Sequence, residues 1–141
     1  MQTTPTLDVL NRLLDGTVNS VVQYAEIGAP YIPDGFDEQM QEFKRIGDDE
    51  KNLANETVAM IQSRDGVPAV GVFRFWNVDL NYLDIRFMAK FAVQHEGKLI
   101  ADLEAALDSL TNDPEAHGLV RRAIEQKREH LTKLADIASA Y

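Results

Sequence analysis

The chain has no cysteine, which excludes disulfides, thiolate metal sites and a cysteine nucleophile. Proline is scarce, with 5 in 141 residues, and every one falls where a helical pattern starts or stops. Positive charge is in short supply. Fourteen Lys and Arg stand against 23 Asp and Glu, a net charge of −9. That balance argues against nucleic acid and against an anionic membrane surface as partners. No apolar run approaches the ~18 residues of a membrane span. The opening "MQTTPTLDVL" has neither a basic n-region nor an apolar h-region. No signal peptide is expected, and a cytoplasmic location is the default. There is no Gly-rich phosphate loop and no Ser/His/Asp arrangement, so no substrate class is indicated.

What is present is 45% hydrophobic residues, enough for one domain spanning 1–141 with a real core. The apolar residues recur at helical spacing in four long segments. The first starts at Thr4 and Pro5, an N-cap followed by proline at the first helical position. It carries Leu7, Leu10, Leu14, Val18, Val21 and Ala25 before Gly28, Pro30 and Pro33 stop it. The second opens around Asp37 and carries Phe36, Met40, Phe43, Ile46, Gly47, Ala54, Val58 and Ile61. "RDGVP" stops it at Gly66 and Pro68. The third runs from about Asn81 to Leu110 on Ile85, Met88, Ala92, Leu99, Leu103, Ala106, Leu107 and Leu110. "TNDP" then starts the fourth near Pro114, with Val120, Ala123, Ile124, Leu131, Leu134 and Ala138 as its stripe.

Short connections join the first pair and the last pair. A longer apolar segment, "GVPAVGVFRFWNVDL", joins the second to the third. This is the pattern of an all-α, antiparallel four-helix bundle with a long crossover between helices 2 and 3. The crossover aromatics Phe73, Phe75, Trp76 and Tyr82 read as a cap on the bundle, or as a dimer surface. No linker, low-complexity run or internal repeat is detectable.

Projecting each segment at ~100° per residue shows which polar residues fall inside the apolar stripes. They are Thr17, Glu50, Glu96 and Lys127, one per helix, with His130 at the stripe's edge one turn after Lys127. His95 and Gln94 fall off centre. Each residue sits near the middle of its helix, so in an antiparallel bundle they should meet at one level. Taken singly, Thr17 reads as a core threonine bonded to the carbonyl one turn back, and His130 as a satisfied edge histidine. A central lysine, however, needs a partner, because an unpaired buried charge is expensive.

"LNRLLDGTVNSVVQY" and "EKNLANETVAMIQSRDGVP" resemble the first two helices of the ferritin-like superfamily, closest to bacterioferritins and rubrerythrin-like bundles. "HEGKLIADLEAAL" and "EQKREHLTKL" resemble the last two more loosely. The resemblance implies a site for two iron or manganese ions, built from one Glu on each of two helices and Glu-x-x-His on the other two. Those positions here are Thr17 on helix 1, Glu50 and Leu53 on helix 2, Glu96 on helix 3, and Lys127 and His130 on helix 4. Residual candidate ligands are Glu50, Glu96 and His130. The bacterioferritin haem methionine corresponds to Lys51, so haem is not expected.

The resemblance therefore implies a degenerate di-iron centre. Two carboxylates face one ammonium and one imidazole, a set that balances without metal when His130 is protonated, and Lys127 takes the metal's place. The resulting expectation is a ferritin-like protein without a cofactor or catalytic residue, acting as a homodimeric or larger scaffold or interaction module. The alternative is an iron- or manganese-dependent oxidoreductase or ferroxidase on the reduced ligand set, helped by Asp48 or Asp49, which project off the stripe. A third reading follows metal-free radical subunits of this fold that use a modified tyrosine, for which Tyr24 is the candidate.

Overall fold

The computed structural model describes residues 5–23, 32–71 and 84–139. They form α1 (Pro5–Val18), α2 (Asp37–Ser63), α3 (Ile85–Ala106) and α4 (Pro114–Ala138), with a 3₁₀ turn at Leu107–Leu110 between the last two. No strand occurs among the described residues. The bundle expected from the periodicity is present: α1 lies along α2, α3 along α4, and the two hairpins pack on each other. No described helix is long and apolar enough to cross a membrane. Tyr24 and the crossover aromatics Phe73, Phe75, Trp76 and Tyr82 lie outside the described residues.

The helix ends follow from local chemistry. Asp84 caps α3 by accepting the backbone N–H of Arg86 and Phe87. Asp113 caps α4 through Ala116 N–H, with Pro114 next to it, where its missing N–H costs nothing. Arg64, just past the end of α2, donates two hydrogen bonds to Asp113, at 2.7 and 2.6 Å. The stop of α2 is a Schellman turn. Gly66 N–H reaches Ile61 O and Asp65 N–H reaches Gln62 O. The left-handed residue in it is Asp65, with φ 56°, an aspartate where glycine is commoner. A Cβ on Gly66 would stand 2.6 Å from Leu7 Cδ2, so any larger residue there would force Leu7 to shift.

Two expectations about α1 need correction. The helix does not run unbroken toward Ala25. It ends at Val18, and a helical segment restarts at Val21. The cause is Ser20, whose Oγ accepts Gln23 N–H at 3.1 Å. This is an N-cap bond of the kind that opens a helix, while the Gln23 side-chain amide goes to Gly47 O and Glu50 Oε1. Val18 is also not in the core but 40% exposed. It stands ~100° round the helix from buried Thr17.

The early crossover is held on α1 by three side chains one turn apart. Asn11 accepts Ala69 N–H at 2.7 Å, Asp15 accepts Gly71 N–H at 2.7 Å, and Asn19 donates to Gly71 O at 2.9 Å. The expected ordered crossover is thus seen as far as Gly71.

The core is divided. One apolar cluster holds Leu7 to Leu14 of α1, Leu53 and Ile61, Leu99 and Leu103, and Leu119 to Ile124 of α4. The other holds Val21 and Val22, Phe43 and Ile46, Ile85 to Ala92, and Leu134 and Ile137. α2, α3 and α4 pass from one cluster to the other, and the chain reaches the second cluster after α1, at Val21 and Val22. The residues between them are Thr17 and Ser20, Glu50, Glu96, and Lys127 and His130, all buried.

Candidate functional site: a buried polar layer between two apolar clusters

The antiparallel arrangement brings the predicted site residues to one level, because each lies midway along its chain's passage between the two clusters. Lys127 is completely buried, and its Nζ lies 3.6 Å from Glu96 Oε2. That is contact distance, but longer than a hydrogen bond. Glu50 is buried on the facing helix α2. Ser20 Oγ donates to Glu50 Oε1 at 2.8 Å. Gln23 Nε2 donates to the same oxygen at 3.4 Å and to Gly47 O at 2.8 Å.

Burial pushes the Glu50 carboxyl well above its ordinary range, and the neighbouring Glu96 carboxylate pushes in the same direction. Lys127 and the Ser20 hydroxyl pull it down, but by less. Two carboxyls buried as near neighbours cannot both ionise cheaply. Glu50 is the one favoured as the neutral acid, which leaves Glu96 facing the lysine ammonium.

His130 turns the other way. Its Nε2 meets Asp49 Oδ2 at 2.9 Å, with Asp49 half-exposed at the surface. The imidazole's partner is therefore Asp49, which projects off the stripe of α2, and the charge sets separate into Glu50–Glu96–Lys127 inside and His130–Asp49 at the edge. Thr17 departs from its plain reading, because its Oγ1 makes no bond to a carbonyl one turn back. Thr57 makes that bond instead, to Leu53 O at 2.7 Å. Among the described residues Thr17 Oγ1, Glu50 Oε2, both Glu96 oxygens, Lys127 Nζ and His130 Nδ1 are buried without a hydrogen-bond partner. His95, off the stripe as expected, donates from Nε2 to Gly16 O at 2.7 Å and ties α3 to α1.

Sequence projection missed Ser20 and Gln23, whose signal was the Ser-x-x-Gln spacing of "SVVQ". Asp49 was named as a helper off the stripe, but not as the partner of His130.

No known family profile matches this chain, and no curated protein does. Among solved structures, a ferritin-like, diiron-carboxylate protein from Bacillus anthracis str. Ames matches with a TM-score of 0.77 over 95% of each chain, at 20% identity. The architecture is therefore that of the ferritin-like four-helix fold.

The residues at the fold's metal positions do not suit two divalent ions. Leu53 supplies no donor atom. Lys127 puts a completely buried ammonium 3.6 Å from Glu96. His130 Nε2 is committed to Asp49. Among the described residues no three of His, Asp and Glu converge as a metal site would require.

Proposed function

We propose that this chain is a ferritin-like protein whose di-metal centre is degenerate and metal-free. In this reading it serves in the cytoplasm as a homodimeric or larger scaffold or interaction module. The observation that carries it is the placement of Lys127 Nζ, fully buried beside Glu96. At ~4 Å and an effective dielectric of ~20, each unit of like charge costs about 4 kcal/mol. A divalent ion there would lose roughly twice that, comparable with the whole free energy of a micromolar site. The lysine and a proton on the Glu50–Glu96 pair balance the two carboxylates that remain, so no metal charge is needed.

A second reading is favoured by the diiron-carboxylate description of the matching Bacillus anthracis protein. In it Glu50, Glu96 and His130 hold one iron or manganese ion for oxidoreductase or ferroxidase chemistry. This requires His130 to leave Asp49 and Lys127 to give up its charge or its position.

Elemental analysis after anaerobic Fe(II) loading separates the two. Wild type should hold no stoichiometric metal. Thr17→Glu, Leu53→His and Lys127→Glu together should restore two divalent ions per chain. Wild-type metal that is lost on Glu96→Ala would establish the enzyme reading. A monomer by light scattering at all concentrations would sink the scaffold role.

A further inference from the structure

Outside the buried layer, α1 and α3 flank a cleft of about 350 Å³. Helical spacing builds both walls, since residues three and four apart share a helix face. Arg12, Asp15, Gly16 and Asn19 line it from α1, and Lys98, Leu99 and Asp102 from α3. The floor is preformed. A Cβ on Gly16 would stand 2.6 Å from Leu99 Cδ2, so Leu99 packs directly on the α1 backbone. His95 Nε2 meets Gly16 O beside it at 2.7 Å. Asp15 and Asn19 are tied to Gly71, at 2.7 and 2.9 Å.

The rim is different. Arg12, Gln94, Lys98 and Asp102 also line the cleft and are exposed. Their side chains make no hydrogen bond or ion pair among the described residues. In this acid-rich chain Arg45, Arg64, Arg86, Arg122, Arg128 and Lys133 all find a carboxylate. Arg12 and Lys98 share one cleft with Asp102 and do not.

We propose that this cleft binds a small zwitterion, an α-amino acid with an apolar side chain of about leucine size. Arg12 and Lys98 take its carboxylate, Asp102 takes its ammonium, and its side chain lies against Leu99. A guanidinium and an ammonium offer only donors, and a carboxylate only acceptors, so the bonds are charge-assisted at both ends of the ligand. Charge selects the zwitterion over a plain anion. The chain carries −9, a field that opposes the approach of any anion, whereas a zwitterion has no net charge to repel. Size agrees, because ligand pockets start at about 300 Å³, and the low end of that range suits a ligand of a few heavy atoms. The proposal is independent of the metal-free reading, since none of the four rim groups belongs to the buried layer.

Titration of the isotope-labelled full chain with L-leucine, followed by amide NMR, is the test. The shifts should saturate and centre on Gly16, Asn19 and Leu99. Isocaproate, which lacks the ammonium, and isoamylamine, which lacks the carboxylate, should each bind at least tenfold more weakly. Arg12→Gln and Lys98→Gln should each weaken L-leucine at least tenfold. Asp102→Asn should weaken L-leucine to the level of isocaproate and leave isocaproate unchanged. Arg121→Gln, the loss of an exposed cation on α4, should leave binding as it is. All four are surface changes, and thermal melts confirm that each variant is folded. Folded wild type with no saturable shift at millimolar L-leucine would overturn the site, as would shifts centred elsewhere. Isocaproate binding as tightly as L-leucine would overturn the zwitterion in favour of a plain carboxylate.

Discussion

Two glutamate pairs on α4 contrast the interior of the bundle with its surface. Arg122 reaches Glu56 of α2 at 2.8 Å, with side chains 61% and 45% exposed. Further along the same helix, Lys127 reaches Glu96 of α3 at only 3.6 Å, with both side chains buried. The surface pair has the better geometry and matters less. Its charges are solvated whether or not they meet, so their meeting gains little. The inner pair has the worse geometry and matters more, because removing either member leaves a buried charge with nothing to balance it. Distance alone ranks the two pairs in the wrong order. The medium around them sets the ranking.

The largest effect that would test this comparison is Lys127→Ala. Loss of one partner of a buried pair typically costs ~3–5 kcal/mol, and urea denaturation should show a drop of that size. Lys127→Met combined with Glu96→Leu should recover most of it, since an apolar pair of similar volume needs no counter-charge. The two apolar clusters above and below the layer would then be continuous. A Lys127→Ala protein as stable as wild type would mean that the lysine is not the layer's counter-charge.

The same contrast explains what was legible in the sequence. The four helices, the short and long connections and the inward positions of Glu50, Glu96 and Lys127 all follow from periodicity, because burial of a stripe is a property of one helix at a time. The break in α1 was legible too, in Ser20 and Gln23, but the apolar period across Val18 and Val21 masked it. The partner of His130 was not legible. Whether an edge residue turns inward or outward depends on what the neighbouring helix presents at that height, and Asp49 is fixed by the packing of α2 on α4. The silence of Thr17 Oγ1 is likewise a tertiary fact. Thr57 shows the same residue type making the local bond, and nothing in the sequence around either threonine separates them.

A middle-sized effect concerns pH. Glu50 titrates above its ordinary value of 4.5 in the folded chain. The folded state therefore binds a proton that the unfolded state has released, and stability falls as pH rises. The contribution is complete below 4.5 and is lost as pH climbs through the folded-state value. Glu50→Gln removes the titration while keeping the shape and the bond from Ser20. Relative to wild type it should gain stability steadily from mildly acidic to alkaline pH. At the alkaline end the gain should reach about 1–3 kcal/mol, the cost of an unsatisfied buried group. Urea midpoints measured across that range test this, and parallel curves for the two proteins would mean that Glu50 is already ionised in the fold.

The smallest effect is at the surface. Arg122→Ala removes a hydrogen bond and an ion pair of good length, yet it should cost no more than ~1 kcal/mol. Salt supplies the control that separates the two environments. Mobile ions screen exposed charges over about 8 Å at physiological ionic strength, whereas a pair sealed between two apolar clusters has no ions near it. The Arg122→Ala loss should therefore shrink toward zero in concentrated sodium chloride, while the Lys127→Ala loss stays as large as in dilute buffer. If Arg122→Ala cost as much as Lys127→Ala, or if salt erased both losses alike, the medium would not be what ranks the two pairs. Burial of Lys127 would then have no energetic meaning distinct from its distance to Glu96.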